Sequence, residues 1–168
     1  DMSAAFLLNV SFSGAYMTDV NLQGAVLRNV DLRWIDLAGS NLAHANLTGA
    51  DLKGATLVGA RLYKAILNES NLTGADLSWA DLEGATLIRA QMRVARLKSA
   101  KLDGAQLDHA RLIGANLTDA TLTDARLFRA DLSRAILVRT NLSRADLSQS
   151  DLHRASLIDA TLVGTKFY

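Results

Sequence analysis

The chain of 168 residues contains no cysteine and no proline, and only 5% of its residues are aromatic. The absence of cysteine excludes disulfides and thiol chemistry, and it leaves the redox compartment open. The absence of proline fits a backbone whose N–H groups are needed for ladder hydrogen bonds. Although 49% of the residues are hydrophobic, no apolar run is long enough to span a membrane or to act as a signal peptide. The sequence therefore predicts no transmembrane segment. The compartment stays unknown, with the cytoplasm as the default.

A leucine-centred repeat with a period of five residues occupies the whole chain. Every position whose number ends in 2 or 7 is apolar, and a small or β-branched residue, usually alanine, precedes it by two. On an α-helix five residues advance ~500°, so successive leucines would lie ~140° apart and form no apolar stripe. On a continuous strand an odd repeat would send alternate leucines to opposite faces. A chain that turns a corner every five residues would bury every alanine and leucine together.

Glycine supports a corner two residues after each leucine. All eleven glycines occupy that slot, where a turn with positive φ favours a residue without a Cβ atom. We therefore expect left-handed backbone at the corner slots. Asparagine, aspartate and histidine tolerate this conformation better than most residues and fill the same slot elsewhere. They are Asn9, Asp19, Asn29, His44, His109, Asp119, Asp124 and Asp159.

Four pentapeptides show the repeat most clearly. Ala-Asn-Leu-Thr-Gly at 45–49, Ala-Asp-Leu-Lys-Gly at 50–54, Ala-Asp-Leu-Glu-Gly at 80–84 and Ala-Asn-Leu-Thr-Asp at 115–119 resemble the A(D/N)LXX unit of the pentapeptide-repeat family. The resemblance covers essentially the whole chain. It implies an all-β fold, a right-handed four-sided parallel β-helix with four pentapeptides in each coil. Residues 1–168 would then form a single uninterrupted domain of about eight coils, a rod about 40 Å long at ~4.8 Å per coil.

The two ends of the rod leave two interpretations open. Repeat proteins normally cap the exposed core and the open edge at each end, and no amphipathic helix flanks the pattern here. Either the chain is an ordered piece of a longer protein, or its ends dock on each other or on a partner. Larger core residues also predict a distorted cross-section near the N-terminus. They are Val10, Phe12, Met17, Val20, Val30 and Ile35.

Charge is distributed unevenly along the chain, although the formal net charge is +1. Residues 1–84 carry five basic and nine acidic residues, whereas residues 85–168 carry thirteen basic and eight acidic ones. Either the arginines at the corner slots of the second half are simply solvated, or they contact an acidic protein partner. They form a collar rather than a stripe, so a nucleic-acid partner is not favoured. Four of them fall on four different sides: Arg129, Arg134, Arg139 and Arg144.

Apolar side chains in outward slots are the other candidate partner-binding residues, because adjacent exposed apolar groups suggest a contact surface. The two tryptophans lie at corner slots, where they would either anchor a partner or pack across a neighbouring glycine corner. The candidates are Phe6, Leu8 and Val26 on one side near the N-terminus, Ile136, Val138 and Ile158 on another side near the C-terminus, Phe128 on the side preceding these three, and the corner residues Trp34 and Trp79.

The sequence contains no motif for catalysis, a cofactor or a metal. The three histidines lie on three different sides without ligand spacing, and there is no Ser-His-Asp arrangement or glycine-rich phosphate loop. An unbroken rod with a filled core also has no place to enclose a substrate. We therefore predict that the protein is not an enzyme. Hydroxyl residues in the small inward slot are interpreted as core groups bonded to the backbone: Ser40, Ser70, Thr140, Ser150 and Thr165.

Two classes of function remain. The first is a rigid non-catalytic scaffold or protein–protein interaction module, which presents flat sides to partner proteins in an assembly. The second follows from the resemblance: some pentapeptide-repeat proteins, in a family abundant in bacteria, mimic duplex DNA and bind DNA gyrase. That mimicry implies strong negative potential, a C-terminal dimer and often an excursion loop, none of which this sequence indicates. Acidic residues of the first half keep it open: Asp31, Asp36, Asp51, Asp76, Asp81 and Glu83.

Overall fold

In a computed structural model, which describes residues 1–8 and 10–168, the chain winds into a four-sided parallel β-helix. One outward residue of each pentapeptide forms a parallel bridge with the residue twenty positions further along, from Phe6 with Val26 to Asp146 with Lys166. Within the described residues these bridges are isolated single-residue pairs, and no helix is present. Because four pentapeptides complete one coil, the predicted right-handed quadrilateral β-helix is confirmed.

Each pentapeptide satisfies its backbone N–H groups in the same way. In the pentapeptide 46–50, three N–H groups donate to carbonyl oxygens of neighbouring coils at N···O distances of 2.7–2.9 Å. The N–H of Ala50 donates across the corner to the carbonyl oxygen of Leu47, at 3.0 Å. The N–H of Thr48 donates to the side-chain Oδ1 atom of Asn46, at 3.1 Å. All five donors of the repeat therefore have partners, as a buried or half-buried backbone requires.

The side-chain bond explains why the repeat favours aspartate or asparagine before leucine. At all fifteen positions where either residue fills that slot, its Oδ1 atom accepts the N–H of the residue two positions later. The backbone of the repeat offers this N–H no acceptor. A short side chain with a carbonyl or carboxylate oxygen supplies one locally, as in an Asx turn.

The corners have the geometry that the glycine pattern predicts. All eleven glycines have φ between 64° and 72°. Every described non-glycine residue in the slot also has positive φ, including residues that rarely adopt it, such as Trp34, Val94 and Arg139. Positive φ at the third residue, with a hydrogen bond from the fourth N–H to the first carbonyl, is the signature of a type II turn. Asn9, predicted at the same slot, lies outside the described residues.

The core is a column of leucine and alanine side chains along the rod axis. The inward residues from Leu22 to Leu147 are almost all completely buried. Near both ends the same slots become half-buried, and Leu162 is 39% exposed. Since each coil contacts only the coils above and below it, the stability of the rod should be nearly additive along its length.

The N-terminal corners open where β-branched residues replace alanine. The hydrogen bond that closes a corner measures 2.9–3.1 Å at alanine but 3.5 Å at Val30 and 3.3 Å at Ile35. At Val20 the N–H donates instead to the hydroxyl of Ser40, at 3.2 Å. That hydroxyl in turn donates to the carbonyl oxygen of Met17, at 2.9 Å. The larger side chains therefore widen individual corners, and a hydroxyl from the next coil bridges the widest.

The other inward hydroxyls also bond to the backbone, as predicted. Those of Ser70 and Ser150 donate to the carbonyl oxygen of the leucine three residues earlier, at 2.8 and 2.7 Å. Those of Thr140 and Thr165 donate to a leucine carbonyl oxygen in the preceding coil, each at 2.8 Å. These groups are structural, because a hydroxyl that is buried and bonded to the backbone is not positioned to attack a substrate.

Candidate functional site

The four sides of the rod are named by the outward residues that they carry in the coil 81–100. Side A carries 81–83, side B carries 86–88, side C carries 91–93 and side D carries 96–98. Residues twenty positions apart lie on the same side. The corner residues, whose numbers end in 4 or 9, separate neighbouring sides. Sides B and D are therefore opposite each other.

The thirteen candidate residues fall on sides B and D and their corners. Phe128 was predicted on the side that precedes Ile136, and this prediction is wrong. Two corners separate the two residues along the chain, so Phe128 lies on the opposite side of the rod. Side D and its corners carry Trp34, Trp79, Arg134, Ile136, Val138, Arg139 and Ile158; side B and its corners carry Phe6, Leu8, Val26, Phe128, Arg129 and Arg144.

The arginine collar is not a ring of four equivalent cations. Arg139 makes a two-bond ion pair with Asp119 in the preceding coil, at 2.6 and 2.9 Å. Arg144 makes the same pair with Asp124, at 2.8 and 2.7 Å. Hydrogen bonds from these guanidinium groups lower the pKa of both aspartates. Half of the collar is therefore neutralised within the chain, which weakens it as a contact for an acidic partner.

The other two collar arginines differ from each other. The guanidinium of Arg129 donates to the side chain of Gln149, at 2.7 Å, and lies 5.0 Å from the ring centroid of Phe128. Among the described residues, no carboxylate lies within ion-pair distance of Arg129 or Arg134. The cationic charge that remains available thus lies at the two corners that border side C.

The two tryptophans resolve the two interpretations that the sequence left open. The ring of Trp34 lies over the corner of Gly54, in space that a Cβ atom there would occupy. The ring of Trp79 does not cover the corner of Gly59 in the preceding coil, which has open space around it. Both side chains nevertheless stay more than 60% exposed. Trp34 therefore packs across a glycine corner, and both rings remain available for contacts.

Within residues 16–158, side D and its two corners carry most of the exposed large apolar side chains. Between residues 16 and 158, the exposed large hydrophobic side chains are Tyr16, Trp34, Ile66, Trp79, Val94, Ile136 and Ile158. All except Ile66 lie on side D or its corners. The sequence interpretation missed Tyr16 and Val94, and it treated the tryptophans and the isoleucine cluster separately. Aligning the chain in columns of twenty residues, with both bordering corners included, would have found them together.

The described residues hold no cluster of potential metal ligands. A shallow polar depression of about 570 Å³ on side A is lined by Glu83, Asp103 and Asp124, among others. The carboxylate of Asp103 already accepts bonds from the hydroxyl of Thr121 and the N–H of Thr123. In residues 1–8 and 10–168 no group of three or more His, Cys, Asp or Glu side chains is arranged to hold a metal ion.

The histidines are held apart on the surface. His44 meets the ring of Tyr63 edge-on at 5.6 Å, and His109 meets the ring of Phe128 in the same way at 5.9 Å.

Across the described residues there is also no helical segment with the length and hydropathy of a membrane span.

Comparison with known proteins agrees with this architecture. The family model for pentapeptide repeats matches residues 1–33, 35–74, 75–112, 95–134, 105–143 and 135–168, in eight copies. HetL, a pentapeptide repeat protein involved in heterocyst differentiation regulation in the cyanobacterium Nostoc sp. strain PCC 7120, is 32% identical, with 93% of this chain and 88% of HetL covered and a TM-score of 0.32.

Two further solved structures are more distant. Rfr23, a pentapeptide repeat protein of the cyanobacterium Cyanothece 51142, is 23% identical, with 96% of this chain and 93% of that one covered and a TM-score of 0.39. Full-length QnrB1, a plasmid-mediated fluoroquinolone resistance protein, is 18% identical, with 95% of this chain and 94% of that one covered and a TM-score of 0.33. None of the curated protein sequences compared with the chain matches it.

Proposed function

The chain belongs to the pentapeptide-repeat family, and from this premise we propose that it is a rigid, non-catalytic scaffold that presents flat sides to partner proteins. The observation that carries the proposal is the concentration of exposed apolar side chains on side D. Ile136, Val138 and Ile158 are the contiguous part of this set, and an apolar patch on an otherwise polar surface usually marks an interaction site. The partners are proteins, because aromatic and aliphatic anchors of this kind are typical of protein interfaces.

The construction of the rod suits this role. Hydrogen bonds join each coil to its neighbours along all four sides, and the core between Leu22 and Leu147 is closed to solvent. Outward side chains therefore stand at fixed spacings of about 4.8 Å along each column. A partner that fits such a surface has little conformational entropy to remove from it on binding.

Side B is a second candidate contact surface. It carries Phe6, Leu8 and Val26 near one end, and Phe128 beside Arg129 near the other. Phe6 and Leu8 are exposed, whereas Val26 and Phe128 are half-buried. Because sides B and D are opposite, the rod would hold two partners apart. We rank side B below side D, since its middle carries a single exposed large apolar side chain, Ile66.

The acidic residues of the first half do not favour mimicry of duplex DNA. The guanidinium of Arg33 donates two hydrogen bonds to the carboxylate of Asp31. These bonds hold the pKa of Asp31 well below its ordinary value. Asp76 lies 3.5 Å from the guanidinium of Arg96. A DNA mimic needs unbroken negative potential along its length, whereas these carboxylates alternate with cations. The protein-scaffold function is therefore the one that we propose.

Affinity capture from native lysate tests this function. The bait is the intact chain, compared with a side D variant carrying Ile136→Ser, Val138→Ser and Ile158→Ser, and with a control variant carrying Ile113→Ser on side C. We expect a stoichiometric set of proteins to be retained by the wild type and the control, and lost by the side D variant. Retention of the same proteins by all three baits would refute side D as the contact surface. Retention of DNA gyrase subunits would instead support DNA mimicry.

A further inference from the structure

The charge on side D changes sign midway along the rod. The half of side D and its corners between residues 14 and 79 carries three carboxylates and no lysine or arginine: Asp19, Asp36 and Asp76. The half between residues 94 and 159 carries five cations, Arg96, Lys98, Arg134, Arg139 and Arg154, against two carboxylates, Asp119 and Asp159. The two halves therefore hold net charges of −3 and +3. Counted in the same way, no other side has halves of equal and opposite charge.

This pattern makes the charges of side D complementary to those of side D on a second copy whose rod runs in the opposite direction. In a two-fold symmetric dimer each partner uses the same surface. With the rods antiparallel, the acidic half of one copy faces the basic half of the other. With the rods parallel, each half would face its own like charges. We propose that side D is an interface between two copies of this chain, packed side by side and antiparallel about a two-fold axis. This proposal rests on the proposed function and identifies one partner of the scaffold as a second copy.

The charges also fix the register of the dimer. If the axis passes between the coils of Asp76 and Arg96, which lie 3.5 Å apart within one copy, the two internal pairs meet at the axis and each Asp76 also faces Arg96 of the second copy. Because the axis runs across the rods, each column of one copy faces the same column of the other. Trp34 then faces Arg134, a cation–π pairing of the kind that aromatic faces favour.

The corners of side D fit the same register. The bulky corner residue Val94 faces Gly74, and around Gly74 there is open space that no side chain of the same copy fills. Trp79, which is 64% exposed, faces Ser99. Large corners thus meet small ones at these two positions, whereas Asp19 faces Asp159 near the ends of the same interface.

The available area is sufficient for a stable dimer. About eight coils at ~4.8 Å give a side about 40 Å long, and a five-residue side at up to ~3.3 Å per residue is about 16 Å wide. This corresponds to at most about 640 Å² per copy and about 1,280 Å² in total, at the lower end of the range for specific interfaces. The exposed apolar side chains of side D and its corners are spread along its length and would contribute to the buried part of such an interface.

Sedimentation velocity of the purified chain tests the proposal with two charge variants. The basic variant carries Asp36→Lys and Asp76→Lys, and the acidic variant carries Arg96→Glu and Arg134→Glu. In the antiparallel dimer each variant faces its own like charges, so we expect at least about tenfold weaker dimerisation for each, or about 1.4 kcal/mol. A one-to-one mixture of the two variants places lysine opposite glutamate, and we expect it to dimerise again. A side C variant with Arg93→Glu and Arg111→Glu serves as the control.

The wild type and the control should sediment as dimers, with twice the 18.0 kDa mass of the chain. Each charge variant alone should sediment as a monomer. The mixture of the two charge variants should sediment as a dimer again. Circular dichroism and thermal melting confirm that each variant is folded. A wild type that stays monomeric over a wide concentration range, or a mixture that fails to dimerise, would overturn the proposal. Other proteins could still bind side D of a monomeric chain. Captured partners together with a monomeric chain would therefore refute the dimer but leave the scaffold function standing. A dimer that captures no protein would refute the scaffold function alone.

Discussion

Replacement of Asn116 by alanine tests whether the hydrogen bond from the asparagine or aspartate slot to the N–H two residues later stabilises the repeat. The Oδ1 atom of Asn116 accepts two hydrogen bonds from Thr118, one from the N–H at 3.0 Å and one from the hydroxyl at 2.6 Å. Thr118 is half-buried, so loss of the acceptor leaves its N–H poorly solvated. A typical hydrogen bond contributes about 1 kcal/mol, and an unsatisfied donor costs about 1–3 kcal/mol. We therefore expect Asn116→Ala to lower the free energy of unfolding by about 1–2 kcal/mol.

Two variants make this measurement specific. Asn116→Asp keeps an acceptor in place and should cost much less. Gln106→Ala changes the same slot on the opposite side of the same coil, where the longer side chain makes no such bond, and should cost a few tenths of a kcal/mol at most. Urea denaturation gives the free energies, and amide hydrogen exchange should show faster exchange at Thr118 in the alanine variant alone. Equal losses for Asn116→Ala and Gln106→Ala would refute the reasoning.

Three further predictions follow from packing, backbone geometry and charge. Leu87 lies in the fully buried middle of the core, so Leu87→Ala should lower the free energy of unfolding in urea by about 3–5 kcal/mol. Leu162→Ala should lower it much less, because the side chain of Leu162 is 39% exposed. Equal losses would contradict the buried column. Val94→Gly should raise the free energy of unfolding by about 1 kcal/mol, since a β-branched residue at φ 50° is strained. A lower free energy of unfolding for this variant would contradict the backbone strain at Val94. Arg139 lowers the pKa of Asp119, so that pair stabilises the fold above pH ~3.9, the unfolded value, and its contribution is lost as the pH falls through the lower folded value. Asp119→Asn should weaken the acid dependence of the melting temperature between pH 2 and 4, and an unchanged pH profile would count against the pair.

The sequence was sufficient for the repeat, the corners and the core because each follows from a strict local pattern. The five-residue period placed leucine inside, and the glycine slot indicated positive φ. The structure adds that tryptophan, valine and arginine also occupy this slot. The turn is therefore imposed by the stacked coils, and local preference is overridden where neighbouring coils supply enough hydrogen bonds, as at Val94 and Arg139.

The surface was harder to predict because it depends on which residues lie above one another. The sequence interpretation placed Phe128 one side from Ile136, whereas the coil places them on opposite sides. It counted Arg139 among the exposed cations of a collar, but Asp119 lies directly below it and neutralises it. Long side chains reach the adjacent coil, so a corner residue has to be considered together with its neighbours twenty positions away.

The most direct test of side D as the contact surface uses the absence of native cysteine. Single cysteines at Val58→Cys on side D and Thr73→Cys on side C, both half-buried positions, can be reacted with a maleimide in dilute and in concentrated solution. Association through side D predicts that the reaction at Val58→Cys slows as the concentration rises, while the reaction at Thr73→Cys does not change. Equal rates at both positions across the concentration range would contradict it.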